Sequence, residues 1–262
     1  MIRGHAGEAA HVLVLKTLGA PVSKRVPRRK RASRTPAAPQ PAPTPVTTTR
    51  ATLIAATPLT SPGEAWLASA DLEREASAAF AVLASVIHMH RSAAADPNVP
   101  VVARDAALAV RVGYGAGEQV ADGRWTEAAE VPPAPPGRRE RSGVLRPQER
   151  LAAILSGRDV MLACEELTLR ARLDADAGRW REAAFQLRVA LEAAIAELAP
   201  WASHGDLAER IAGLRDQRGA VGDAANTALK GGLDDERIEA VAHSLELVEA
   251  ALRARTQAEL GS

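Results

Sequence analysis

The sequence has little cysteine, few aromatic residues and no long apolar run. Of its 262 residues, one is cysteine and 3% are aromatic. The single Cys164 excludes a disulfide framework and a cysteine-based zinc or iron–sulfur site within one chain. The scarcity of aromatic and β-branched residues at short spacing argues against a large β-sandwich or barrel. The longest largely apolar stretch, residues 78–87 with Ser85 inside it, is shorter than the roughly 18 residues of a membrane span. We therefore expect no transmembrane segment and a cytoplasmic location.

Alanine is the abundant residue, with 57 copies. It is the best helix former and buries little area, so the composition favours helices over sheets. The chain has only four lysines against 29 arginines, a skew typical of GC-rich coding sequences, which also raises alanine content. Periodicity is therefore a better guide to the fold than composition, and it predicts an all-α protein built as a bundle of antiparallel helices.

The formal net charge of +1 hides two oppositely charged parts. Residues 1–50 carry ten basic side chains and one acidic side chain, whereas the remainder carries 23 basic and 31 acidic ones. Residues 1–46 also contain a proline-rich stretch from 36 to 45, and we predict that they form a disordered tail. Its basic cluster consists of Lys24, Arg25, Arg28, Arg29, Lys30 and Arg31.

Three interpretations of this basic tail remain open. It binds nucleic acid or an anionic membrane surface, it is a solvated segment or a tether to the acidic remainder, or residues 1–46 precede the true start of translation. No aromatic residues alternate with the arginines as base-stacking platforms would require.

The first part of the folded chain, residues 47–131, is predicted to be a helical subdomain. Residues 47–57 are β-prone and predict a short strand or extended coil. The Ser61-Pro62-Gly63-Glu64 sequence predicts a helix start with a capping box, and apolar spacing continues that helix to about residue 92. A second helix is expected over 101–112. A Pro/Arg-rich linker is predicted at 132–145.

Residues 146–256 are predicted to form a second, helical-bundle domain, followed by a tail at 257–262. Its expected helices cover 147–155, 159–177, 180–198, 203–214 and 219–229. The last helix has its apolar residues at steps of three and four, and such a stripe serves either as core or as a seam with a partner helix. We predict an interaction seam formed by Ile238, Val241, Leu245, Val248 and Leu252.

A helical hairpin is expected near residue 178. The sequence Gly178-Arg179-Trp180-Arg181-Glu182-Ala183, with Ala190-Leu191 seven residues on, resembles the middle of a tetratricopeptide repeat. The resemblance covers about residues 160–198, and it implies protein–protein contact. Its first helix departs from the family pattern, and a partial copy of the motif at 123–128 lacks the spacing of an array. The residues predicted to pack the hairpin are Gly178, Trp180, Ala183, Leu187, Ala190 and Leu191.

The strongest candidate for catalysis is the pair Arg237 and His243, separated by five residues. This spacing is similar to the Arg-x4–6-His motif of the HEPN family, compact all-α ribonucleases and nucleotide-binding domains, in which the Arg and His serve RNA cleavage. Ile238 departs from that family, which usually has a polar residue after the Arg. Six positions along a helix also place the two side chains on different faces.

The other chemistry-bearing motifs are better explained by structure. The glycine-rich residues 113–117 lack the pattern of a dinucleotide or phosphate loop, and Ser203-His204-Gly205-Asp206 reads as a helix start. We expect no cofactor and no metal.

The sequence predicts a non-enzymatic interaction or scaffold module with a protein partner, including a homodimer through the last helix. The alternatives are a HEPN-like ribonuclease or nucleotide-binding domain and nucleic-acid binding through the basic tail.

Overall fold

The computed structural model describes residues 2–3, 9–19, 47–132 and 147–260. The chain divides into two compact units, Met1–Pro133 and Ala134–Ser262, which we call the N-terminal and C-terminal units. The described part is mostly helical, as predicted. It also contains five short strands, all in the N-terminal unit, so the all-α prediction is wrong there.

The N-terminal unit begins with a three-stranded antiparallel sheet. It is made of β1 (Ile2–Arg3), β2 (Ala9–Leu18) and β3 (Thr48–Ala55), in that spatial order. Strand β3 falls on the β-prone stretch, and its partner β2 lies within the segment predicted to be disordered. That prediction is wrong for residues 9–18, because Val12, Leu13 and Val14 supply the apolar residues that strand pairing needs.

Two helices follow, α1 (Gly63–Ser69) and α2 (Leu72–Ala94), where one continuous helix was expected. The Asp71 side chain divides them, because its Oδ1 accepts a hydrogen bond from the Arg74 amide at 3.0 Å and so caps α2. The predicted Ser61 cap does not form. Pro62 is the residue that precedes α1, and no side chain caps that helix.

The helix expected over 101–112 is replaced by a one-turn 3₁₀ segment, Arg104–Ala106, and by a strand, β4 (Arg111–Tyr114). Strand β4 pairs antiparallel with β5 (Glu127–Glu130). Gly113 explains the close approach of these strands, since a Cβ there would lie 2.4 Å from the Glu127 carbonyl oxygen. The glycine-rich stretch therefore serves strand pairing. A second 3₁₀ turn, Glu118–Val120, precedes β5.

The described C-terminal unit contains six helices and no strand. They are α3 (Pro147–Leu155), α4 (Ala163–Asp176), α5 (Trp180–Glu197), α6 (Leu207–Asp216), α7 (Arg218–Lys230) and α8 (Asp235–Leu260). A 3₁₀ turn, Ala199–Trp201, follows α5.

Helix α5 is the centre of this unit and contacts α4, α6, α7 and α8. Its buried face recurs at helical spacing and is rich in alanine, which lets neighbouring helices approach closely. The fully buried residues of this face include Ala183, Leu187, Ala190 and Leu191. Gly178 ends the turn between α4 and α5 with φ 71°, a left-handed conformation that favours glycine. At the far end, the Cys164 amide donates to Glu197 Oε2 at 2.9 Å, so the start of α4 lies beside the end of α5.

Truncation of Leu187 tests the central position of α5. Leu187 is fully buried, so Leu187→Ala removes buried methyl groups and leaves a cavity. We expect the free energy of unfolding to fall by about 2–5 kcal/mol, measured by chemical denaturation. Val189→Ala, two residues away on the exposed side, is the matched control and should change it by less than about 0.5 kcal/mol. Equal effects of the two substitutions would contradict this packing.

Candidate functional site

The most unusual feature of the C-terminal unit is a buried arginine. Arg255 on α8 has no exposed surface, and its guanidinium carbon lies 4.6 Å from the centre of the Trp201 ring. Its Nη2 donates to Asp159 Oδ1 at 2.5 Å, whereas Nε and Nη1 have no hydrogen-bond acceptor among the described residues. The carboxylate and the aromatic face together stabilise a charge that would otherwise be costly to bury.

Asp159 connects Arg255 to a second arginine. Its Oδ1 also accepts from the Val160 amide at 2.6 Å, and its Oδ2 accepts from Arg150 Nε on α3 at 3.2 Å. Arg150 Nη2 in turn donates to Glu165 Oε1 at 2.5 Å. We call Arg150, Asp159, Glu165 and Arg255 the ionic network. It joins α3, the loop before α4, α4 and α8.

The electrostatics of Asp159 follow from this arrangement. Burial by itself would raise the pKa of the Asp159 carboxyl group. The hydrogen bonds from Arg255, the Val160 amide and Arg150 outweigh that effect and hold the pKa below its usual value of 3.8. Asp159 is therefore ionised at neutral pH and available to both arginines.

Cys164 lies next to this network but is not a reactive thiol. Its side chain is fully buried, and burial together with the neighbouring Glu197 raises the pKa of the thiol far above its usual range. Thiolate is the nucleophilic form of cysteine, so Cys164 is held in its unreactive form. Its environment is that of a small core residue of α4.

The predicted seam on the last helix lies mostly inside the chain. Val241, Leu245 and Val248 have no exposed surface and belong to the core, while Ile238 and Leu252 are half-buried. The three buried side chains therefore serve the interior of their own unit and offer no apolar surface to a partner. The physical reason is that α5, α6 and α7 already cover this side of α8.

The predicted hairpin residues lie together at the contact of α4 with α5. Ala183, Leu187, Ala190 and Leu191 are buried, and Trp180 is half-buried against the same core. Their role in the structure is to pack the two helices.

Arg237 and His243 are not brought together. Arg237 Nε lies 2.8 Å from Asp223 Oδ2, and its Nη1 lies 2.5 Å from Asp234 Oδ2. The guanidinium is thus engaged by two carboxylates, and His243 is exposed six positions further along α8.

A shallow groove of about 690 Å³ lies between the residues that precede α6 and the end of α8. It contains Ser203, His204 and Asp206, but these do not form a charge-relay arrangement. Ser203 Oγ lies 3.4 Å from His204 Nδ1, while the Asp206 carboxylate pairs with Arg210 at 2.6 Å. The basic cluster from Lys24 to Arg31 lies outside the described residues.

Exposed large apolar side chains are concentrated on one part of the C-terminal unit. Six of the eight such residues described in this unit fall between residues 151 and 173. We call them the α3–α4 apolar face, and they are Leu151, Leu155, Val160, Met161, Leu169 and Leu173. The pairs on α3 and on α4 are each four residues apart and so share one side of their helix. The ionic network holds these segments next to one another.

The ionic network was not predicted from the sequence. One signal was present: Arg255 continues the apolar stripe of α8, three residues after Leu252, at a position that faces the core. Asp159 and Arg150 have no comparable signal, since both lie in polar stretches whose contacts depend on the fold.

Comparisons with known proteins identify no relative. No family model matches the chain, and no curated protein or solved structure matches it.

In the part of the chain that the structure describes, no helix has the length and apolar character needed to cross a membrane.

Substitution of Arg255 tests the ionic network. Arg255→Met removes the buried partner of Asp159, and we expect the free energy of unfolding to fall by about 3–5 kcal/mol at neutral pH. The difference from the wild type should narrow as the pH falls below 3.8, because Asp159 of the unfolded chain then binds a proton before the native carboxylate, with its lowered pKa, does. Denaturation at several pH values measures both effects. Arg170→Met, which breaks an exposed pair with Glu166, is the control and should cost less than about 1 kcal/mol.

Alkylation tests the assignment of Cys164. In the native protein the thiol should not react with iodoacetamide over hours, because it is buried and protonated. In denaturant it should react at the rate of a free cysteine. Mass spectrometry of the alkylated protein measures both. Rapid alkylation of the folded protein would show that the thiol is accessible and reactive, contrary to its position in α4.

Proposed function

We propose that this protein is a non-enzymatic scaffold whose C-terminal unit, an antiparallel helical bundle, binds a second copy of the chain through the α3–α4 apolar face. The observation that carries the proposal is the concentration of exposed apolar side chains on that face, because the unit buries most of its other large apolar residues. Exposed apolar side chains concentrated in one region are typical of an interaction surface. We propose that the scaffold acts in the cytoplasm, as expected from the sequence.

The charge distribution favours a second copy as the occupant. Residues 147–179, which contain the face, carry five basic and six acidic side chains, so the region is nearly neutral. Residues 180–260 carry nine basic and fourteen acidic side chains, and two such surfaces would repel each other. Two copies would therefore associate through the α3–α4 side with the smallest electrostatic repulsion.

The charges on α4 beside the face are already paired within one chain. Arg170 pairs with Glu166 at 2.8 Å, and Arg179 pairs with Asp174 at 2.6 Å. Association through the face would then leave no net charge to be neutralised by a partner of opposite sign. This supports a partner with the same surface over a strongly basic or acidic one.

The proposal replaces the seam on α8 with a different surface. Leu245 and its neighbours on the stripe are in the core, whereas Leu169 and Leu173 are exposed on the outer side of α4. Burial of a leucine side chain contributes roughly 1.5–3 kcal/mol relative to full exposure. A symmetric dimer would use each such leucine twice.

Sedimentation velocity over a range of concentrations tests the proposal. We expect the wild type to sediment as a dimer and the double variant Leu169→Asp, Leu173→Asp to sediment as a monomer, because four new charges would be buried in the interface. The matched control is Val189→Asp, Leu229→Asp, which adds the same charge at exposed apolar positions away from the face. It should remain a dimer, and thermal melts should show that both variants are folded.

Two outcomes would overturn self-association through this face. One is a wild type that is monomeric up to about 100 µM, which corresponds to a binding free energy weaker than roughly −5.5 kcal/mol. The other is a face variant that dimerises as tightly as the wild type and the control.

A further inference from the structure

Helix α3 is held on the C-terminal unit with little burial. None of its nine residues is buried, and only Arg150, Ala153 and Ile154 are half-buried. An isolated helix of this length is not stable in water, since helices shorter than about 12–15 residues are marginal. Contact with the rest of the unit must therefore keep α3 folded.

The strongest of these contacts come from one side chain. Arg150 donates to Asp159 Oδ2 at 3.2 Å and to Glu165 Oε1 at 2.5 Å. Hydrogen bonds between ionised groups are about twice as strong as neutral ones. The apolar contribution of α3 is small by comparison, because Leu151 and Leu155 point into solvent.

The two carboxylates that receive Arg150 also have partners outside α3. Asp159 is fixed from the interior by Arg255 at 2.5 Å, and Glu165 Oε2 accepts from the Leu162 amide at 3.1 Å. Both groups would keep these partners if α3 moved away. Each receiving carboxylate therefore has a partner that does not depend on α3.

We infer that α3 is a strap that opens and closes on the C-terminal unit as one piece, with Arg150 as its latch. Opening breaks the two ion pairs of Arg150 and the hydrogen bond from the Asp159 amide to the Ala153 carbonyl oxygen, and it leaves the core of α4, α5 and α8 intact. It also moves Leu151 and Leu155, which belong to the α3–α4 apolar face. If the proposed function holds, on which this last step alone rests, dimer formation favours the closed strap and an open strap weakens the dimer.

Amide hydrogen exchange of the full-length protein tests the strap. Arg150→Met removes the charged fork and keeps a long apolar side chain in its place. We expect the hydrogen-bonded amides within residues 147–155 to exchange roughly ten- to a hundredfold faster than in the wild type, as expected for the loss of ionised hydrogen bonds. Amides of α5 and α8 should be unchanged, because their protection depends on the core. Arg170→Met is the control and should leave residues 147–155 unchanged.

Three outcomes would overturn the inference. Unchanged exchange at 147–155 in Arg150→Met would show that Arg150 is not the latch. A parallel acceleration in α5 and α8 would show that Arg150 supports the whole fold. Exchange of the wild-type segment at the rate of an unstructured peptide would show that α3 is not closed on the unit.

The same measurement in the Leu169→Asp, Leu173→Asp background separates the strap from the proposed dimer. If the strap is a property of one chain, Arg150→Met still accelerates only residues 147–155 in that background. The strap then stands whether or not sedimentation shows a dimer. If the acceleration disappears in that background, the protection of α3 depends on the face and the latch inference fails.

Discussion

The C-terminal unit depends on the carboxylate of Asp159 between two arginines. One oxygen accepts from the buried Arg255 and the other from Arg150 on α3. A fully buried guanidinium is very costly without a counter-charge, so the position of the loop that carries Asp159 is set by the need to pair Arg255. The same carboxylate then holds α3, the helix that carries the exposed Leu151 and Leu155.

This arrangement gives the unit two kinds of stabilisation. The core around α5 is built from alanine and leucine at helical spacing and stabilises the helices through burial. The end of the unit near Asp159 is built from ion pairs and a stacked Trp201. The hydrophobic effect is non-directional, whereas ion pairs in a low-dielectric environment require their partners at short distances and in a fixed geometry.

The candidate site was only partly predictable. Helices α5 and α8 were readable from their 3.6-residue periodicity, and Gly178 marked the turn that precedes α5. The N-terminal unit was misread because β2 lies in a segment whose composition is mainly basic and proline-rich, and because its partner β3 is some thirty residues further along. Strand pairing is a non-local interaction, so neither strand is recognisable without the other. The seam on α8 was misread for the opposite reason: an apolar stripe looks the same whether its partner is another chain or the chain itself.

The sequence by itself determined the helical character of residues 147–260, the positions at which those helices begin and end to within a few residues, and the uneven distribution of charge. These properties depend on residues close together in the chain, through helix propensity, capping and periodicity. Only the tertiary structure decided that Arg255 is buried, that Asp159 faces it from 96 residues away, and that Leu169 and Leu173 remain exposed while Leu245 does not. Burial and ion pairing depend on which segments meet, and that is a property of the whole folded unit.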